Sequence, residues 1–132
     1  MAATPTDLTL TERTGAEAHR ICESLLRQSR ATCVLLVGRD GALLDRHGFT
    51  DSLDGQTAAA LASACYASTE ALAQTVGEPS FRMFYQQGDT HHLQIHRIGE
   101  AALIVVVFDE RTNAGLVRLI AESAASRLAR LL

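Results

Sequence analysis

The chain has 132 residues with 12 basic and 15 acidic side chains and a formal net charge of −3, which is length for one domain around one core. All 12 basic residues are arginines, scattered without forming a stripe, a pattern that disfavours nucleic acid or an anionic membrane as partner. The absence of lysine removes a Walker-type phosphate loop and Schiff-base chemistry.

Residues 1–11 are polar, with neither a basic start nor an apolar run, so they read as a flexible tail rather than a secretory signal and the protein as cytoplasmic. Thr14 and Glu17 have capping-box spacing, and Ala18, Ile21, Cys22, Leu25 and Ser29 recur on one helical face, predicting a first helix over 12–29. Residues 32–39 are short and β-branched, and Asp40-Gly41 behind them signals a hairpin into a second strand at 42–49. That second strand carries Asp45, Arg46, His47 and Gly48, which suits a sheet edge exposed to water. Cys22, Cys33 and Cys65 are odd in number, form no C-x-x-C pair and sit in apolar patterns, as small buried thiols of a reducing compartment would.

Asp54 is placed to cap a second helix over 56–76, which Gly77 and Pro79 stop. At 100° per residue, Leu61, Cys65, Ser68, Leu72 and Val76 fall in one arc, expected to rest on the sheet. Cys65 on that arc reads as core rather than nucleophile. Ala60, Ala64, Ala67 and Ala71 make a second arc of single methyls that would let another helix approach closely, although the helix propensity of alanine alone also explains them. Ala59, Ser63, Glu70 and Gln74 are then the outward arc, the candidate surface for a protein partner.

Three strand-like segments follow, 81–87, 90–98 and 101–109, separated by Gly88-Asp89 and Gly99-Glu100, and together they predict a meander. The last contains the sequence's unbroken apolar run, residues 101–108, which is too short for a bilayer and lacks alternation. It should be the central strand, covered by helices on both faces. The first strand of the meander holds Phe81, Met83, Phe84 and Tyr85 and belongs at the opposite edge, where an apolar, aromatic strand is a pairing site. A third helix over 113–132 places Val117, Ile120, Ala121, Ala124, Leu128 and Leu131 on one face, with Thr112 or Asn113 as cap.

No catalytic constellation emerges: there is no G-x-S-x-G elbow, no H-E-x-x-H and no G-x-G-x-x-G after a strand. His91, His92 and His96 resemble a metal cluster only in sequence, because on a strand His91 points away from His92 and His96, which stand roughly 13 Å apart. They read as an ordinary exposed strand. No catalytic residue, cofactor or metal is expected.

Over residues 34–128 the chain resembles the Roadblock domain family (Roadblock/dynein light chain), especially its bacterial branch of MglB-like regulators of gliding-motility GTPases. The hairpin Leu35-Leu36-Val37-Gly38-Arg39-Asp40-Gly41 and the helix end Ala71-Leu72-Ala73 leading to Gly77-Glu78 and Phe81 carry the first part of the resemblance. The strand from Ala102 to Phe108 with Asp109-Glu110, and Asn113-Ala114-Gly115-Leu116-Val117-Arg118, carry the rest. It implies an α/β (α+β) fold: a mostly antiparallel five-stranded sheet of order 2-1-5-4-3, with the second helix on one face and the first and third on the other. It also implies a homodimer, with Ala60, Ala64, Ala67, Ala71, Phe81, Met83 and Tyr85 at the interface, that regulates a small Ras-like GTPase in its GTP state without an arginine finger. Roles in cell polarity and motility would follow. Relative to some members, no C-terminal extension follows Leu132, and the loop over 50–55 is short. A scaffold without effect on hydrolysis, or a small-ligand sensor with Phe81, Met83, Phe84 and Tyr85 lining its pocket, are the other readings.

Overall fold

The computed structural model describes residues 11–49 and 53–132; the expected tail up to residue 10, and residues 50–52 of the short loop, lie outside them. Among the described residues the order is α1 (Glu12–Ser29), β1 (Cys33–Gly38), β2 (Leu43–Gly48), α2 (Gly55–Thr75), β3 (Met83–Gln87), β4 (His92–Ile98), β5 (Ala102–Phe108) and α3 (Ala114–Leu131). The strands form one antiparallel sheet of order β2-β1-β5-β4-β3. The apolar run is thus its central strand, β5. Side chains alternate across the sheet: Ile104, Val106 and Phe108 join Val34 and Leu36 beneath α1 and α3, whereas Leu103 and Val105 join Leu35 and Val37 beneath α2. This three-layer α/β arrangement has α2 on one face and α1 with α3 on the other.

The caps show why the helices begin and end where they do. Thr11, expected in the tail, is the N-cap of α1, its side chain accepting from the Thr14 amide at 3.1 Å, so Thr14 lies inside the helix and is not its cap. Asp54 caps α2 and Asn113 caps α3 as their positions predicted. At the end of α2, Gly77 has φ +86°, the Glu78 amide donates to the Ala73 carbonyl at 2.8 Å and the Gly77 amide to the Gln74 carbonyl at 3.2 Å. This Schellman closure needs a residue free to adopt positive φ.

In the β1–β2 connection three residues, not two, lie between the bonded pair Gly38 and Ala42: the Gly38 amide donates to the Ala42 carbonyl at 2.8 Å, the Gly41 amide to the Gly38 carbonyl at 2.9 Å, and Gly41 takes φ +92°.

Strand β4 departs from the sequence reading. As an interior strand with α3 across one face, it buries Gln94 and His96 instead of exposing them. The His96 Nε2 donates to the Gln94 Oε1 at 2.8 Å, and the Gln94 amide nitrogen donates to the Ala114 carbonyl at 2.9 Å, so the polar pair is satisfied at the start of α3. Burial first, then the Arg118 charge, pulls the His96 pKa down to about 4 and keeps the ring neutral. Among the described residues no helix is long and apolar enough to cross a membrane.

Candidate protein-binding face

Helix α2 is rotated by roughly a third of a turn from the orientation its hydrophobicity suggested. Gly55, Ala59, Ala62, Tyr66 and Ala73 face the sheet. Leu61, Leu72 and Val76, expected inward, are 61%, 57% and 62% exposed, and Cys65 and Ser68 are exposed with them. The reason is volume. Leu35, Val37, Ile95, Leu103 and Val105 already fill the layer from the sheet side, so α2 packs on them through methyls and one phenol ring. The larger aliphatic side chains are left pointing outward, and Cys65, read as core, is an exposed thiol.

The expected outward arc is corrected by the same rotation. Ala59 is 0% exposed, locked in the core, and cannot meet a partner. Ser63 and Glu70 are half-buried and bonded within the chain: the Ser63 hydroxyl donates to the Arg39 carbonyl at 2.6 Å and the Arg39 Nη2 donates to the Glu70 Oε1 at 2.7 Å. Gln74 alone of the four is exposed. The four seam alanines, Ala60, Ala64, Ala67 and Ala71, are all exposed on one flank of α2. The helix therefore offers two adjoining apolar flanks, one of methyls and one of Leu61, Leu72 and Val76.

Arg39 is not the solvated strand end it resembles in sequence. Its guanidinium carbon lies 5.0 Å from the Tyr66 ring centroid, and its Nη1 donates to the Glu100 carbonyl at 3.3 Å besides the ion pair with Glu70. Beneath it the buried Tyr66 sends its hydroxyl to the Phe81 carbonyl at 3.0 Å, with the Ser80 hydroxyl 3.2 Å away. Desolvation raises the Tyr66 pKa, so the phenol stays a donor. Arg111 behaves as its neighbours predicted: its Nε and backbone amide both donate to the Asp109 Oδ1 at 3.0 Å, and that contact holds the Asp109 carboxyl below its ordinary range.

Strand β3 forms the sheet edge next to this knot, pairing only with β4 among the described residues. Phe81 lies just before the strand and is half-buried. Met83 and Tyr85 stand opposite His96 and Gln94, on the α3 face, whereas Phe84 stands opposite Ile95 and packs into the α2 layer. Tyr85 is 38% exposed and stacks with Phe108, ring centroids 6.0 Å apart. The aromatic side chains thus divide between the two faces and do not line one pocket. What lies open is the outer backbone rim of β3.

The Roadblock/LC7 domain family matches residues 6–108 of the chain. No curated protein matches it by sequence. Among solved structures, Myxococcus xanthus MglB is 30% identical, with 94% of this chain and 93% of that chain covered and a TM-score of 0.87. The gliding protein MglB of Thermus thermophilus is 31% identical over 99% of this chain and 97% of that one, with a TM-score of 0.88. A further structure, described as MglB with tetrameric arrangement, is 32% identical over 99% and 96% of the two chains, with a TM-score of 0.89.

Proposed function

The chain belongs to the Roadblock/LC7 domain family, and from that premise we propose that it is a homodimeric, non-enzymatic regulator that docks a small Ras-like GTPase in its GTP state. The observation that carries this reading is the double apolar face of α2, together with the open rim of β3, to whose entry α2 is tied through Tyr66 and Phe81. A two-fold axis at β3 extends the sheet across two copies and sets the methyl seams of two α2 helices side by side, covering Ala60, Ala64, Ala67, Ala71, Met83 and Tyr85 twice. The flank of Leu61, Leu72 and Val76 remains for the GTPase. Leaving three large aliphatic side chains mostly in water forgoes about 1 kcal/mol each, which a partner recovers on docking.

The likeness to MglB proteins supports a regulatory role over a catalytic one. The decisive experiment uses a purified small Ras-like GTPase, loaded with GTP or GDP, in a binding assay and in single-turnover hydrolysis. A GTP-dependent complex with faster hydrolysis is expected. Absence of a complex in either state overturns the proposal, and a complex without stimulation identifies a scaffold.

A further inference from the structure

We propose that His19, Asp45 and His47 form a binding site for a divalent transition cation, zinc in the first instance, which joins α1 to the edge strand β2. The fold brings His19 to Asp45 across 26 positions of sequence. Asp45 and His47 are two residues apart on β2 and so share the face turned toward α1, and His19 meets them from the helix. The His19 Nδ1 lies 2.9 Å and the His47 Nε2 2.8 Å from the same oxygen, Asp45 Oδ2, and the two imidazole centroids are 4.3 Å apart. All three donor atoms lie within 4.8 Å of one another.

Without a cation each of these nitrogens must carry its hydrogen and donate it to that oxygen. A cation entering between them replaces both hydrogen bonds with bonds of about 2.0–2.1 Å to nitrogen and 2.0–2.2 Å to oxygen, and each ring carries its proton on the opposite nitrogen. The other carboxylate oxygen, Oδ1, already accepts from the Arg46 amide at 2.9 Å, and this fixes the plane of the carboxylate. Among the described residues, the side chains that pair with Asp45 are the two histidines and no arginine, so no fixed cation competes for the carboxylate.

Two imidazoles and one carboxylate suit zinc and its first-row neighbours rather than magnesium or calcium, which prefer oxygen alone. His47 is almost enclosed, with 7% of its side chain exposed, whereas His19 is 53% exposed, so the cation would be held from inside and the fourth position would open to water. Cys22, a turn further along α1, is not of the set, and its thiol, pushed up to about 12 by burial and then by the Asp45 charge, stays protonated. The site lies across the sheet from α2 and is independent of the proposed GTPase platform.

Titration of the chelator-treated full chain with zinc chloride in a calorimeter should show one ion per chain with a dissociation constant of about 1 μM or tighter, and the melting temperature should rise with zinc but not with magnesium. Cobalt(II) in place of zinc should give the intense visible absorption of a tetrahedral site. His19→Ala, exposed and removable without disturbing the core, should weaken uptake by more than about tenfold, and Asp45→Asn should do the same. No stoichiometric uptake at about 100 μM zinc, or uptake unchanged in His19→Ala, would overturn the assignment.

Discussion

The Tyr66 hydroxyl donates to the Phe81 carbonyl at 3.0 Å, tying the middle of α2 to the residue that leads into β3. One buried phenol thus sets the distance between the two surfaces assigned to self-association. Tyr66→Phe removes the bond while keeping the ring, and since the Phe81 carbonyl keeps the Ser80 hydroxyl as a donor at 3.3 Å, the cost is that of one hydrogen bond, about 1 kcal/mol. Melting should fall by roughly 3–8 °C. An unchanged melting temperature would show that the contact does not constrain the fold.

The dimer and the GTPase are assigned to different flanks, so variants should separate them. Ala64→Arg or Tyr85→Glu should yield monomers by light scattering at micromolar concentration. Leu72→Glu should leave the dimer intact and weaken the GTPase complex. A parent protein that is already monomeric at that concentration would end the two-fold proposal, and loss of the dimer in Leu72→Glu would place the axis on the other flank.

Much of this architecture was legible because the strongest signals were local: the unbroken run of β5, the Asp54 and Asn113 caps and the glycine at position 77 each act on their own neighbours. The rotation of α2 was not, because it depends on volume contributed by distant strands. A helix whose core face is Ala59, Ala62 and Ala73 shows its larger residues to solvent, which inverts the usual inference from hydrophobicity. Tyr66, the helix's one aromatic residue, was the available clue to its inward face. His19 and His47 likewise carry no joint signal in sequence, since only the packing of α1 on β2 brings them to one oxygen.

His96 makes stability depend on pH. In the unfolded chain a histidine gains its proton near pH 6.5, whereas the folded ring stays neutral down to about 4. Between those values the unfolded state binds more protons, so this contribution is fully present above about 6.5 and is lost as pH falls toward 4, with an upper size of about 3 kcal/mol. Urea unfolding at pH 7.5 and pH 4.5 should show a larger acid loss in the parent than in His96→Gln, whose amide can still donate to Gln94. Equal losses in the two proteins would mean that another group governs the acid limb.

The two arginines nearest to exposed turns decide whether stimulation uses a finger. A finger has to extend freely into the active site of the GTPase, and it contributes about 10³ to 10⁵ in rate. Arg39 is held by Glu70, the Tyr66 ring and the Glu100 carbonyl, and Arg111 by Asp109, so each would first have to break contacts within its own chain. Arg39→Ala should lower stability by about 1 kcal/mol, since Glu70 loses its partner at a site that is only partly screened by water. Both Arg39→Ala and Arg111→Ala should leave hydrolysis within about tenfold of the parent at saturating regulator, because the rate gain then comes from reshaping the GTPase's own residues. Single-turnover hydrolysis with each variant titrated in, beside a binding measurement on the same samples, distinguishes the cases. Collapse to the unstimulated rate with binding intact, in either variant, would make that arginine the finger.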